Sequence, residues 1–188
     1  MNRAHFIAAA FAILAVAGGA NAAPPGWKHY TDPRLGVTFA YPPDWSLAKD
    51  YWYGPKEQHP PHGFGIQIPA SLREGTNLVT ADFAVLTNGA KTCKPAAFGG
   101  AIDGSDVETL NADGRTYQAA RIHDDAGYGE FYETRIFVVT GLSRCIAVKY
   151  FMRIASMTHY VPGEAKEYDP DVLWKIFDDI RATMVFRK

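Results

Sequence analysis

The side chains in this chain whose types and spacing suggest chemistry gather between residues 51 and 64. Tyr51-Trp52-Tyr53 is followed there by His59-Pro60-Pro61-His62. Two imidazoles three residues apart invite a metal reading, because neutral imidazole is a common zinc ligand. In a polyproline II segment, however, positions three apart are separated by about 9 Å along the axis. Zinc needs both nitrogens about 2 Å from one ion, and beyond Glu57 no further donor is evident nearby. His59 and His62 therefore read as solvated loop residues, and no metal is assigned. A second polar group, His123-Asp124-Asp125 with Glu130, lacks the Asp-x-Asp-x-Asp-Gly spacing of a calcium loop and reads as a solvated turn.

Catalytic signatures are missing. The sequence has no Gly-x-Ser-x-Gly elbow, His-Glu-x-x-His pair, P-loop or Cys-x-x-Cys. Gly63-Phe64-Gly65 leads into a strand, whereas a phosphate cradle needs its glycines to open a helix. No catalytic residue and no cofactor are assigned, and the chain is expected not to be an enzyme. A hydrolase with an unrecognised site is the minor alternative. The aromatic triplet is more informative. Three successive rings on an irregular segment cannot all face one core, and exposed loop aromatics are what protein partners use as anchors. Tyr51, Trp52, Tyr53, His59 and His62 are thus the candidate partner-binding residues. A small-molecule or metal site beside residues 51–64 is the alternative.

These residues belong to a chain with an export signal. Asn2 and Arg3 form a short basic start, Phe6 to Val16 an apolar run, and Ala20-Asn21-Ala22 a small-residue cleavage site. The run is shorter than the about 20 residues a membrane span needs, and no cysteine follows the cleavage site to carry a lipid. Residues 1–22 are read as a signal peptide and 23–188 as one domain, periplasmic or secreted, with no membrane insertion after cleavage. Nineteen Lys and Arg stand against 20 Asp and Glu, scattered along the chain, which gives no electrostatic footprint for nucleic acid. The two cysteines, Cys93 and Cys145, would meet an oxidising compartment and are expected to form a disulfide.

Alternation of apolar and polar residues predicts strands at 27–30, 36–41, 45–49, 65–69, 78–87, 107–110, 115–123, 130–140 and 144–154. Residues 51–64 read as an irregular loop, and Cys93 to Phe98 as a short helical piece. In the last strand Ile146, Val148, Tyr150, Met152 and Ile154 share one face, while Cys145, Lys149 and Arg153 face away. The one clear helix starts at Asp169, a good N-cap, with Pro170 at its first position. Leu173, Trp174, Ile176, Phe177, Ile180 and Met184 form its apolar stripe, with Lys175, Asp178, Asp179 and Arg181 mostly off it. Strands followed by one amphipathic helix argue an α+β fold around an antiparallel sheet.

Tyr30-Thr31-Asp32-Pro33, followed by Gly36-Val37-Thr38-Phe39-Ala40-Tyr41-Pro42-Pro43-Asp44-Trp45, resembles the opening of the PsbP-like family. Gly75-Thr76-Asn77-Leu78 and the closing helix also sit where that pattern would place them. The resemblance implies a three-layer α-β-α sandwich with a central antiparallel sheet. It also implies a non-catalytic accessory protein acting by protein–protein contact, with no shared catalytic residues to carry over.

Overall fold

A computed structural model of the chain describes residues 22–53, 60–89, 93–99 and 104–187. The expected signal peptide lies outside these residues except for Ala22, and so does His59. Among the described residues ten strands form two antiparallel sheets. Strands β1 (Lys28–Asp32), β2 (Val37–Tyr41) and β10 (Val185–Phe186) make a small sheet in the order β1-β2-β10. The larger sheet contains β3 (Ser46–Trp52), β4 (His62–Gln67), β5 (Leu78–Thr87), β6 (Val107–Ala112), β7 (Arg115–Gly127), β8 (Glu130–Val139) and β9 (Ala147–Ala155). Their spatial order is β3-β4-β5-β9-β8-β7-β6. Helix α1 (Pro170–Ala182) begins as expected: the Asp169 side chain accepts from the Asp171 amide at 3.0 Å.

Turn chemistry fixes the meander. Asp113 and Gly114 connect β6 to β7 with φ of 54° and 70°, the paired left-handed conformation of a tight two-residue hairpin, for which Asp-Gly is suited. At the chain's opening, buried Asp32 accepts from the amides of Arg34 and Leu35 at 2.8 and 3.1 Å and from the Arg34 guanidinium at 3.0 Å. Burial alone would raise the Asp32 pKa, but these bonds outweigh it and hold the carboxyl below its usual range.

One face of the large sheet carries the main core. Phe64, Ile66, Phe83, Val85, Val148, Tyr150 and Met152 are buried there, covered by Leu173, Trp174, Phe177, Ile180 and Met184 of the helix segment. Trp45 meets Phe177 edge-on at 5.7 Å. The small sheet covers the same face farther along, where Phe39 stacks on Phe64 at 5.0 Å. Immediately after α1 the chain pairs as β10 with β2, Val185 opposite Thr38, so helix and small sheet form one layer.

This architecture replaces the expected three-layer α-β-α sandwich. The fold is mostly β, and among the described residues no α-helix covers the opposite face. A 3-10 turn at Pro95–Ala97 packs there instead, bringing Phe98 against Ala84, Leu86, Ile136, Val138 and Ala147. The reason is legible in the chain: only residues 170–182 combine a cap with an extended helical period. The 93–98 stretch is too short and ends at Gly99-Gly100. Two smaller corrections follow from pairing. Tyr51 and Trp52 belong to β3, and His62 to Phe64 belong to β4, because Tyr51 pairs with Gly63 and Trp52 with His62. Arg181 is buried at the end of the stripe and not off it.

The expected disulfide is present, Cys93 to Cys145 with Cα atoms 5.3 Å apart, and it pins the 3-10 turn beside β9. With the cysteines 52 positions apart in sequence, the Cys93→Ser, Cys145→Ser variant should lose about 4 kcal/mol of unfolding free energy in urea titrations. Tyr150→Phe should lose about 1–3 kcal/mol in the same assay, because Arg181 would forfeit a buried acceptor.

Candidate functional site

The strand period of two sends neighbouring members of the aromatic triplet to opposite faces of the sheet. Trp52 lies on the helix-bearing side, beyond the core. Its indole stacks on His62 across the ladder at 4.8 Å and 22°, and Nε1 donates to Asp50 Oδ1 at 2.6 Å. Tyr51 and Tyr53 lie on the other side. The structure therefore joins Trp52 with His62 and Tyr51 with Tyr53, but does not gather all of them into one patch.

Tyr51 reaches Asp82 across β4, and glycine makes this geometry feasible. A Cβ on Gly65 would sit 2.5 Å from the Tyr51 ring, so only the bare backbone of β4 leaves room. The Tyr51 hydroxyl donates to Asp82 Oδ1 at 3.0 Å. Burial, then the Asp82 charge and this bond, raise the Tyr51 pKa and keep the phenol protonated.

On the same face, one pair along β9, lies Lys149. Ala84 is its cross-strand partner and Asp82 its diagonal neighbour. Lys149 is fully buried, and its Nζ has no hydrogen-bond partner. Aromatic rings surround it instead: Nζ lies 2.9 Å from the Tyr53 ring centroid and 5.5 Å from that of Phe151. Phe151 in turn contacts Tyr132 at 5.4 Å. Burial lowers the Lys149 pKa to about 7 against the opposing pull of Asp82. Burial likewise raises Asp82 to about 6 against the Tyr51 bond and the Lys149 charge. The result is an ammonium held by ring faces, with a carboxylate nearby but no direct ion pair.

Sequence reasoning placed Lys149 correctly on the face away from the main core but did not anticipate its burial there. The available signal was its interleaving with Ala147 and Phe151, which makes that face half apolar. Tyr128 was also missed. Flanked by Gly127 and Gly129, it sits at the β7–β8 tip with φ 54° and is 97% exposed. The His123–Glu130 group is dispersed rather than focused on one point. His123 lies 3.8 Å from Glu133, Glu130 is held by Arg153, and Asp125 accepts from the Gly127 amide. Among the described residues no three His, Cys, Asp or Glu side chains converge as a metal site.

No family model matches the chain, and no curated protein matches its sequence. Solved structures give likeness at low identity. One is a protein from Bacteroides thetaiotaomicron VPI-5482, at TM-score 0.48 and 13% identity, covering 86% of this chain and 48% of that one. The chain thus spans about half the length of that protein. Another is cyanobacterial PsbP from Synechocystis sp. PCC 6803, at TM-score 0.45 and 14% identity, covering 93% and 99%. No functional residue carries over from either.

The Lys149–Asp82 pair has a pH signature with a defined sign. Between about 4 and 6 the native Asp82 carboxyl holds a proton that the unfolded chain has released, so its contribution makes stability fall as pH rises. Between about 7 and 10 native Lys149 has released a proton that the unfolded chain still holds, so stability rises with pH. Urea unfolding from pH 4 to 10 should show a dip near pH 6–7 that the Asp82→Asn, Lys149→Met variant lacks. The same dip in that variant would assign it to other groups.

Proposed function

We propose that this chain is an exported, non-catalytic accessory protein of PsbP-like type that works by contact with another protein through the face of its large sheet opposite the helix. The observation that carries the reading is the gathering of Tyr53, Tyr132 and Phe151, all partly exposed, around the buried Lys149 ammonium. Tyrosine rings offer large contact area at low conformational cost, and contact surfaces are enriched in them. Here they rest on paired strands, so little ordering remains to be done on binding. Asp124, exposed and the cross-strand partner of Tyr132, adds a negative charge beside the rings, which favours a partner offering a basic side chain beside apolar ones. The Cys93–Cys145 disulfide supports an oxidising compartment.

This reading moves the contact from Trp52 and His62, whose rings largely satisfy one another, to Tyr53. One observation favours the alternative of a small-molecule site beside residues 51–64: Lys149 Nζ has no acceptor. Photo-crosslinking in the source cell separates the two. A benzoylphenylalanine probe at Tyr53, with a control at exposed Val172 on α1, should yield a discrete protein adduct from Tyr53 alone. A Tyr132→Ser variant carrying the same probe should lose that adduct while keeping its melting temperature within a few degrees. No adduct, with a ligand-dependent rise in melting temperature, would replace the contact reading by the small-molecule one.

A further inference from the structure

On the helix-bearing face, beside the exposed end of the core, Arg121 of β7 and Arg135 of β8 are direct cross-strand partners. Like charges opposite one another on adjacent strands are destabilising, so such a pair is normally neutralised by carboxylates. Among the described residues neither guanidinium forms an ion pair or a hydrogen bond with the protein. The nearby acids are directed elsewhere: Glu133 lies 3.8 Å from the His123 imidazole, and Asp178 accepts from Tyr150 and Arg181 at 3.0 and 3.1 Å. Arg181 is itself saturated by Asp113, Asp178 and Tyr150.

Arg135 is held in place without a counter-ion. Its guanidinium lies 4.1 Å from the Trp174 ring centroid, a cation–π contact that fixes the group and leaves its N–H edge available. Burial, then the charge of Arg121, depress its pKa, and the Asp178 and Glu133 carboxylates offset this only in part. Two recesses open beside the pair. One of about 280 Å³ has Arg121, Arg135, His123, Glu133 and Trp174 in its lining. Another of about 200 Å³ has three cations, Arg121, Arg135 and Arg181, and two carboxylates, Glu108 and Asp178, in its lining. The two arginines are the charged wall common to both.

We propose that Arg121 and Arg135 form a binding site for a small oxyanion, a carboxylate or phosphate group of a free low-molecular-weight ligand. The planar fork of each guanidinium matches two oxygens of such a group, and one anion between the two forks relieves the repulsion that the empty pair carries. Glu108 and Glu133, which line the recesses, disfavour highly charged polyanions. The recess volumes fall just below the about 300 Å³ at which pockets for drug-sized ligands begin, which suits a small organic acid or phosphate ester. This site lies across the sheet from the Tyr53 surface and does not depend on it.

The test is thermal unfolding and isothermal titration of the purified protein with inorganic phosphate and, separately, succinate, at ionic strength held constant with sodium chloride. At least one anion should give a saturating rise in melting temperature, and its identity distinguishes phosphate from carboxylate ligands. Arg121→Gln and Arg135→Gln should each weaken that anion by about tenfold or more, while Lys28→Gln, exposed on β1, should not. Without anion Arg121→Gln should melt no lower than the parent, since it removes a like-charge pair, whereas Arg135→Gln also gives up the Trp174 contact; a response lost in Arg121→Gln is therefore not a lost fold. No saturating response to either anion, or a response retained in both arginine variants, would overturn the proposal.

Discussion

The fold turns on a buried guanidinium. Arg181, in the last turn of α1, donates to the Tyr150 hydroxyl at 2.8 Å, to Asp113 at 2.6 Å and to Asp178 at 3.1 Å. Tyr150 is fully buried among Phe83, Phe137, Trp174 and Phe177, and its hydroxyl donates onward to Asp178. A charge taken out of water is tolerated only when its hydrogen bonds are made in good geometry. That requirement links three segments distant in sequence: the helix, strand β9 and the β6–β7 turn. Asp113 can meet Arg181 because the turn places it in a left-handed conformation. The site near the helix C-terminus also favours a cation. Once the helix is seated, β10 must follow it onto β2, and Thr183 closes the corner by accepting from the Ala40 amide at 2.9 Å.

The opposite face is held differently. Its apolar cluster is small, built from Ala84, Leu86, Phe98, Ile136, Val138 and Ala147, and tied down by the disulfide. Beyond that cluster the cover consists of Tyr51 and Tyr53, with Lys149 beneath them. Replacing a buried, unpaired amine by an apolar side chain of similar volume is often neutral or stabilising, so local packing gives no reason for lysine there. Asp82 gives a partial one, since each group lowers the cost of the other's charge. The aromatic rings give another: they bind the ammonium and are in turn oriented by it, which keeps Tyr53 over the sheet rather than out in solvent.

How much of this was legible in the sequence follows from which interactions are local. Strand β5 reads off its alternation from Leu78 to Thr87, and the start of α1 off Asp169-Pro170, because period and capping are set within a few residues. The disulfide was legible because only two cysteines exist. The layer arrangement was not. It depends on whether a second helical segment exists, and the opening motif that resembles PsbP-like proteins cannot supply one. In the structure that motif is explained by local needs: Asp32 satisfies a turn, Gly36 takes φ of 66°, and Trp45 packs on Phe177. The 51–64 loop was misjudged at both ends because its Pro and Gly content hid a ladder whose pairing partners lie across the hairpin. Lys149, Arg181 and the Arg121–Arg135 pair were invisible for one reason. A charged residue in an alternating strand or on a helix flank looks solvated until tertiary packing places something over it.

Those four cations nevertheless differ in a way that separates architecture from candidate function. Arg181 has an acceptor for each of its three nitrogens and joins elements. Lys149 has rings but no acceptor, and among the described residues Arg121 and Arg135 have no hydrogen-bonded carboxylate. Proteins keep sequence, packing and electrostatics consistent across most of the fold, and the breaches concentrate where something other than stability was selected. The satisfied ion supplies the rigidity that lets the unsatisfied ones persist. With α1, β9 and the β6–β7 hairpin locked together by Arg181, local charge repulsion at Arg121–Arg135 cannot relax by moving a strand. An anion between the two guanidinium groups would relieve it, and the same rigidity holds the Tyr53 face in a fixed arrangement.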